Sequence, residues 1–174
     1  MEPKDRIIVA LDVGNSSEAM RLVKLLQNHV GMFKVGLQLF LVGGIRFVQH
    51  LVHGRKVRVF LDLKFYDIPN TVAGASREAA KLGVHMFNMH CLGGVSMMQT
   101  GLKGAVEGTQ ETKIARLPIV LGVTILTSHD YNSLLRHGLV KSPSEVSGTD
   151  CLIDRPYLHC NWMEEHCSFR CIQP

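Results

Sequence analysis

Five short apolar runs, IIVALDV at 7–13, MFKVG at 32–36, VRVFLDL at 57–63, MFNMHC at 86–91 and PIVLGVTIL at 118–126, recur about every 25 to 30 residues. Helical patterns fill the gaps between them. This alternation constrains the fold most, because strands separated by crossover helices assemble into a parallel sheet of βα units. In the first gap, NSSEAMRLVKLLQNHV offers Asn15, Ser16 or Ser17 as the N-cap, then apolar residues at helical spacing: Met20, Val23 and Leu26. GGIRFVQHLVH predicts a second helix. Pro69 to Leu82 predicts a third, with the proline near the first turn, where its missing N–H does no harm.

An open doubly wound sheet and a (β/α)8 barrel both begin this way, and the polar residues separate them. No GxGxxG turn follows the first run, whereas Asp12, Lys34, Asp62, His90 and Thr127 sit at or just past the ends of successive runs. Polar groups converging from several strand ends suit the mouth of a (β/α)8 TIM barrel, with about five of its βα units present.

The third run ends in an unusual way: FLDLKFYDIPNT places Asp62, Lys64 and Asp67 at the close of an apolar stretch. A charge inside a buried strand costs several kcal/mol unless something pairs with it. Residues two apart in a strand share a face, so Asp62 and Lys64 point the same way while Leu61 and Leu63 face the helices. Asp67 lies past the strand end, within reach of Lys64 or of a neighbouring subunit. One reading is a buried ion pair that closes the barrel. Two acids around one lysine, with Asp12 and Lys34 at equivalent strand ends, favour a catalytic reading. Carboxylates beside a lysine favour its charged form, whereas a Schiff-base lysine must lose its proton. Lys64 is therefore expected to donate a proton to a developing carbanion, with Asp62 pressing against a substrate carboxylate.

The chain of 174 residues is 46% apolar and 20% charged, the balance of a globular protein. No stretch approaches the roughly 18 consecutive apolar residues of a membrane helix, and MEPKDRIIVA has no signal-peptide core, so a cytoplasmic location is expected. The net charge of +4 comes from scattered basic residues, which argues against nucleic acid and fits a small anionic substrate. Cys91 is the only cysteine of the first 150 residues, whereas Cys151, Cys160, Cys167 and Cys171 crowd the end with His159 and His166. Their spacings match no CxxC zinc pattern, and disulfides are not expected in the cytoplasm. The shift in composition divides the chain into a partial barrel domain, 1–140, and an atypical cysteine-rich tail, 141–174.

FLDLKFYDIPNTV, with IIVALD, MFKVGLQLF, NMHCLGG and GVTILTS, resembles the bacterial-type orotidine 5'-phosphate decarboxylases from about residue 6 to residue 130. The resemblance implies a (β/α)8 barrel acting as a homodimer without metal or organic cofactor. It also implies decarboxylation of orotidine 5'-monophosphate to UMP in de novo pyrimidine synthesis. Lys64 would protonate C6 of the pyrimidine, and Asp62 would sit against the departing carboxylate. Asp67 and Thr71 would be lent across the dimer interface. Asp12 and Lys34 would bind the ribose and extend the charge network, and Thr127 would lie near the pyrimidine. After LTSHDYNSLLRHGL the family continues with glycine-rich loops and with arginine and glutamine side chains that grip the 5'-phosphate. The stretch from Lys141 onward contains no such loop, so an altered C-terminus of a truncated product, with impaired activity, is expected. Two alternatives remain: a sugar-phosphate decarboxylase or lyase of the same barrel group, disfavoured by IPNT after the motif, and a non-catalytic fragment that pairs with full-length subunits. His90 is expected at the barrel rim, Gly93 and Gly94 in a tight turn, and Met97 and Met98 in the core or a dimer contact.

Overall fold

All five expected strands form, each followed by a helix. The computed structural model describes residues 2–112, 114 and 116–139, so the tail cysteines and the proposed division near residue 140 lie outside the described residues. The order is β1 (Ile8–Ala10), α1 (Ser16–Leu26), β2 (Met32–Gly36), α2 (Leu37–Gln49), β3 (Val59–Phe65), α3 (Pro69–Lys81), β4 (Met86–His90), α4 (Gly94–Thr112), β5 (Ile119–Val123) and α5 (Tyr131–Arg136).

Every strand pairs in parallel with its neighbour in sequence, giving the sheet order β1-β2-β3-β4-β5. A doubly wound sheet reverses its order and binds ligand at the reversal, whereas a barrel wall runs on in one direction. The unbroken order is that of a barrel wall. Among the described residues β1 and β5 are the sheet's edges, and Ile8 on β1 is 44% exposed.

The core lies between the sheet and the helices on its outer side. Phe33, Val35, Leu61, Phe87 and Met89 are fully or almost fully buried from the strands, against Val23, Val48, Val72, Met97 and Ala105 from the helices. Each of these side chains other than Ala105 contributes roughly 1.5–3 kcal/mol when fully removed from water. Met97 thus belongs to the core, with Met98 packed at its margin. The Asn15 side chain caps α1 by accepting the Glu18 N–H at 2.8 Å. Helices α3 and α4 approach so closely that a Cβ on Gly104 would collide with the Ala73 carbonyl.

Several boundaries differ from the sequence expectation. β1 stops at Ala10, which leaves Asp12 in the loop beyond it. Helix α2 starts at Leu37 rather than Gly43, bends where Gly44 adopts φ 61°, and continues into a π turn over His50–Gly54. β3 starts at Val59 rather than Val57, after a turn in which Lys56 adopts φ 56°, and runs on to Phe65.

At the N-terminal ends of the strands, away from the polar strand ends, Arg58 pairs with Asp5 at 3.0 Å and Arg116 packs against the His85 ring. Burial, then the charges of Arg116 and Arg58, lowers the His85 pKa to about 4. No helix among the described residues is long and apolar enough to cross a membrane.

Candidate active site

The polar strand ends meet around β3, where the regular pleat breaks. Toward β2 the register is even, with Phe33 opposite Val59 and Gly36 opposite Asp62. Toward β4 it is not: Leu61 faces Phe87, but Phe65 faces Met89, so β3 carries extra residues over this stretch. Lys64 lies within this bulge and adopts φ 52°, in the left-handed region. Simple alternation is therefore not what joins Asp62 to Lys64. The bulge and the left-handed residue turn the lysine back, and its Nζ donates to Asp62 Oδ1 at 2.7 Å.

From β2, Lys34 reaches the same carboxylate. Its Nζ lies 3.4 Å from Asp62 Oδ2 and 3.0 Å from Asp12 Oδ1. The result is a ladder of alternating charge, Asp12, Lys34, Asp62 and Lys64, in which each group has only opposite charges beside it. Side-chain exposure falls from 66% at Asp12 to 21% at Lys34 and 12% at Asp62, then rises to 32% at Lys64. Asp62 is the centre of the ladder. Burial by itself would raise its pKa, but hydrogen bonds from Lys64 and Asn88 and the charges of Lys64 and Lys34 outweigh burial and hold it below the usual range. The carboxylate stays ionised at neutral pH.

Asn88, on β4, was not among the residues expected at the site. It is 4% exposed, its Nδ2 donates to Asp62 Oδ1 at 2.7 Å, and its Oδ1 accepts the backbone N–H of Lys64 at 2.8 Å. The signal for it was a polar residue in the middle of MFNMH, since buried amides need partners. A cavity of about 230 Å³ opens beside this cluster, lined by Phe60, Asp62, Lys64 and Asn88 and by Leu121 to Ile125 at the end of β5.

The remaining expected residues lie apart from the cavity lining. Asp67, Thr71 and Thr127 are exposed. The Asp67 carboxylate accepts the Ile68 N–H at 2.6 Å, and among the described residues it forms no ion pair with Lys64. β5 ends at Val123, so Thr124 and Ile125 line the cavity where Thr127 was expected. His90 ends β4 with its ring centroid 5.5 Å from that of Tyr66. Among the described residues its buried Nδ1 has no hydrogen-bond partner, and burial followed by the charge of Lys64 lowers the ring's pKa, which keeps it neutral at neutral pH. Chemically, the site holds an ammonium proton at the cavity wall beside a carboxylate that cannot readily take it up. That suits protonation of a carbanion, and it opposes any second carboxylate brought into the cavity.

An orotidine 5'-phosphate decarboxylase from Heliobacterium modesticaldum is 45% identical over 146 residues, covering 84% of this chain and 58% of its own. One from Syntrophomonas wolfei is 47% identical over 128 residues, covering 74% and 53%. The chain thus spans a little over half the length of the curated relatives it matches. Among solved structures, an orotidine 5'-phosphate decarboxylase from Lactobacillus acidophilus superimposes with a TM-score of 0.64 at 36% identity, over 76% of this chain and 58% of that one. An uncharacterised conserved protein from Geobacillus kaustophilus gives 0.69 at 33% identity, over 78% and 62%. The profile of the orotidine 5'-phosphate decarboxylase / HUMPS family matches residues 5–147, and with five βα units in barrel order this chain belongs to that family.

Proposed function

We propose that the chain carries the reacting half of an orotidine 5'-monophosphate decarboxylase, a carbon–carbon lyase of pyrimidine synthesis. The observation that supports this most is the ladder, above all the Lys64 ammonium 2.7 Å from an ionised Asp62 at the cavity wall. With a substrate carboxylate beside Asp62, two negative charges face each other in a water-poor site. Losing CO2 removes one of them. The C6–carboxylate bond breaks, its electron pair stays on C6, and Lys64 gives its proton to that carbon as CO2 departs. The resulting neutral amine regains a proton from solvent.

In the same reading Asp12 and Lys34 hold the ribose and Thr127 lies near the pyrimidine. The protein acts as a homodimer in the cytoplasm, with Asp67 and Thr71 of each subunit serving the other subunit's site. Asp67 is exposed on the loop after β3 and Thr71 is exposed in the first turn of α3, which supports that role. Catalysis needs no metal or organic cofactor. The barrel portion is assigned to residues 1–140, and residues 141–174 are set apart by their cysteine-rich composition.

Phosphate contacts remote from the reacting carbon normally drive closure and desolvation, so their loss lowers kcat as well as raising KM. Residues 140–174 carry one glycine, Gly148, and no glycine-rich loop. The 174-residue chain should therefore turn over orotidine 5'-monophosphate slowly, and should bind UMP no more tightly than about millimolar. The test is calorimetric titration with UMP and an assay of substrate loss, with Lys64→Ala as blank. Slow, Lys64-dependent turnover supports the proposal, whereas turnover that survives Lys64→Ala refutes it. Mixing the chain with a full-length Lys64→Ala homologue tests site sharing, since restored activity requires the Asp67 loop to serve a partner.

A further inference from the structure

We infer that Asn88 is a positioning residue that sets the reacting geometry, fixing the Asp62 carboxylate with one end of its amide and the bulged backbone at Lys64 with the other. The inference rests on the proposed proton transfer from Lys64. The amide has only one way to face. A backbone N–H can only donate, so Lys64 N–H requires the Asn88 oxygen; an ionised carboxylate can only accept, so Asp62 Oδ1 requires the Asn88 nitrogen. Both contacts are short, 2.8 and 2.7 Å, and the side chain is almost fully buried, so the amide has no water to exchange them for.

Each contact does separate work. Asp62 Oδ1 already accepts from Lys64 Nζ, and the Asn88 amide is a second donor at the same oxygen. With Lys34 facing Oδ2, the carboxylate is held at both oxygens and cannot rotate away from an arriving anion. At the backbone, a non-glycine residue persists in the left-handed region only where its surroundings hold it there. The Asn88 oxygen supplies that hold at Lys64, and so decides where the lysine side chain leaves the strand. An apolar residue at this position of β4 would satisfy the core and lose both effects.

The test uses the full 174-residue chain and separates the two contacts. Asn88→Ala removes both. Asn88→Asp, nearly isosteric, keeps an acceptor for Lys64 N–H and replaces the amide donor with a second carboxyl that must share a proton with Asp62, which raises the pair's titration further. Val120→Ala, at a buried position of β5 outside the cavity lining, controls for general loosening. In carbon-13 titrations the Asp62 carboxyl should move upward in both Asn88 variants, further in Asn88→Asp, and stay unchanged in Val120→Ala. Exchange of the Lys64 amide should speed up about tenfold or more in Asn88→Ala and stay slow in Asn88→Asp. An unmoved Asp62 titration and unchanged Lys64 exchange in Asn88→Ala would overturn the inference, as would the same changes in Val120→Ala.

The kinetic arm uses any form that turns over: kcat should fall about a hundredfold in Asn88→Ala with KM within about threefold, the signature of misplaced reacting groups. If Lys64-dependent turnover survives Asn88→Ala at full kcat, the inference falls and the proposed function stands. If the titration and exchange changes appear but no form turns over, the function falls and the structural role of Asn88 stands.

Discussion

Lys64, the proposed proton donor, sits on a backbone conformation that suits glycine, and this makes a testable conflict between the proposed reactivity and stability. At φ 52° a Cβ costs roughly 1–2 kcal/mol, whereas glycine bears no such strain. At an ordinary strand position the order is opposite, with glycine less stable than alanine by about 0.5–1 kcal/mol because it loses more chain entropy on folding. Lys64→Ala and Lys64→Gly both remove the ammonium beside Asp62, so that loss cancels when the two are compared. Strain relief of about 1–2 kcal/mol against about 0.5–1 of added entropy leaves the glycine variant more stable by up to about 1.5 kcal/mol, and by about 0.75 at the midpoints. For a chain of this size that is a rise in Tm of roughly 1–4 °C. Lys64→Ala itself should fall about 1–2 kcal/mol below the native chain, because Asp62 keeps Lys34 and Asn88 but loses its nearest counter-charge. Urea unfolding at pH 7, followed by circular dichroism on all three chains, provides the comparison. An alanine variant equal to or more stable than the glycine variant would refute the claim that residue 64 stores left-handed strain.

Three further outcomes follow from the structure. Asp62 has a depressed folded pKa, so its stabilisation is present above the ordinary value of 3.8 and is lost as pH falls through the lower folded value. Asp62→Asn should flatten that part of the acid limb in urea midpoints measured from pH 5 to 2. His85, lowered from 6.5 to about 4, contributes stability that is complete above pH 6.5 and declines toward pH 4 as the unfolded chain takes up the proton. His85→Gln should remove a slope worth about 1 kcal/mol across that window, allowing for solvent screening of a half-buried group. Gly104→Ala should destabilise by about 1–2 kcal/mol in denaturant titrations, because a clash with the Ala73 backbone outweighs the roughly 1 kcal/mol that alanine adds to helix propensity.

The ladder was legible in the sequence because charges at the ends of apolar runs stand out, and the βα period placed Asp12, Lys34 and Asp62 at equivalent heights. Barrel order also followed from the absence of a glycine-rich first turn. What sequence could not show was how Asp62 and Lys64 meet. Nothing in DLKF marks a bulge or a lysine at positive φ, since both depend on how many residues of β4 lie opposite. Asn88 was visible as a polar residue within MFNMH, but its importance depends on register, which brings it level with Asp62. The fifth apolar run was read as a strand to Leu126, just before Thr127, whereas β5 stops at Val123. Hydrophobicity marks where a chain is buried, not where its ladder of backbone hydrogen bonds ends.

All four charges of the ladder lie between Asp12 and Lys64, on three consecutive βα units, and β4 adds Asn88. Among the described residues each strand hydrogen-bonds only to its sequence neighbours, so the backbone pairing of this block does not depend on which units follow it. The reactive electrostatics are therefore portable. Joined to different later units, the same four-strand block would meet ligands of different shape and size while keeping the charge ladder and Asn88 together.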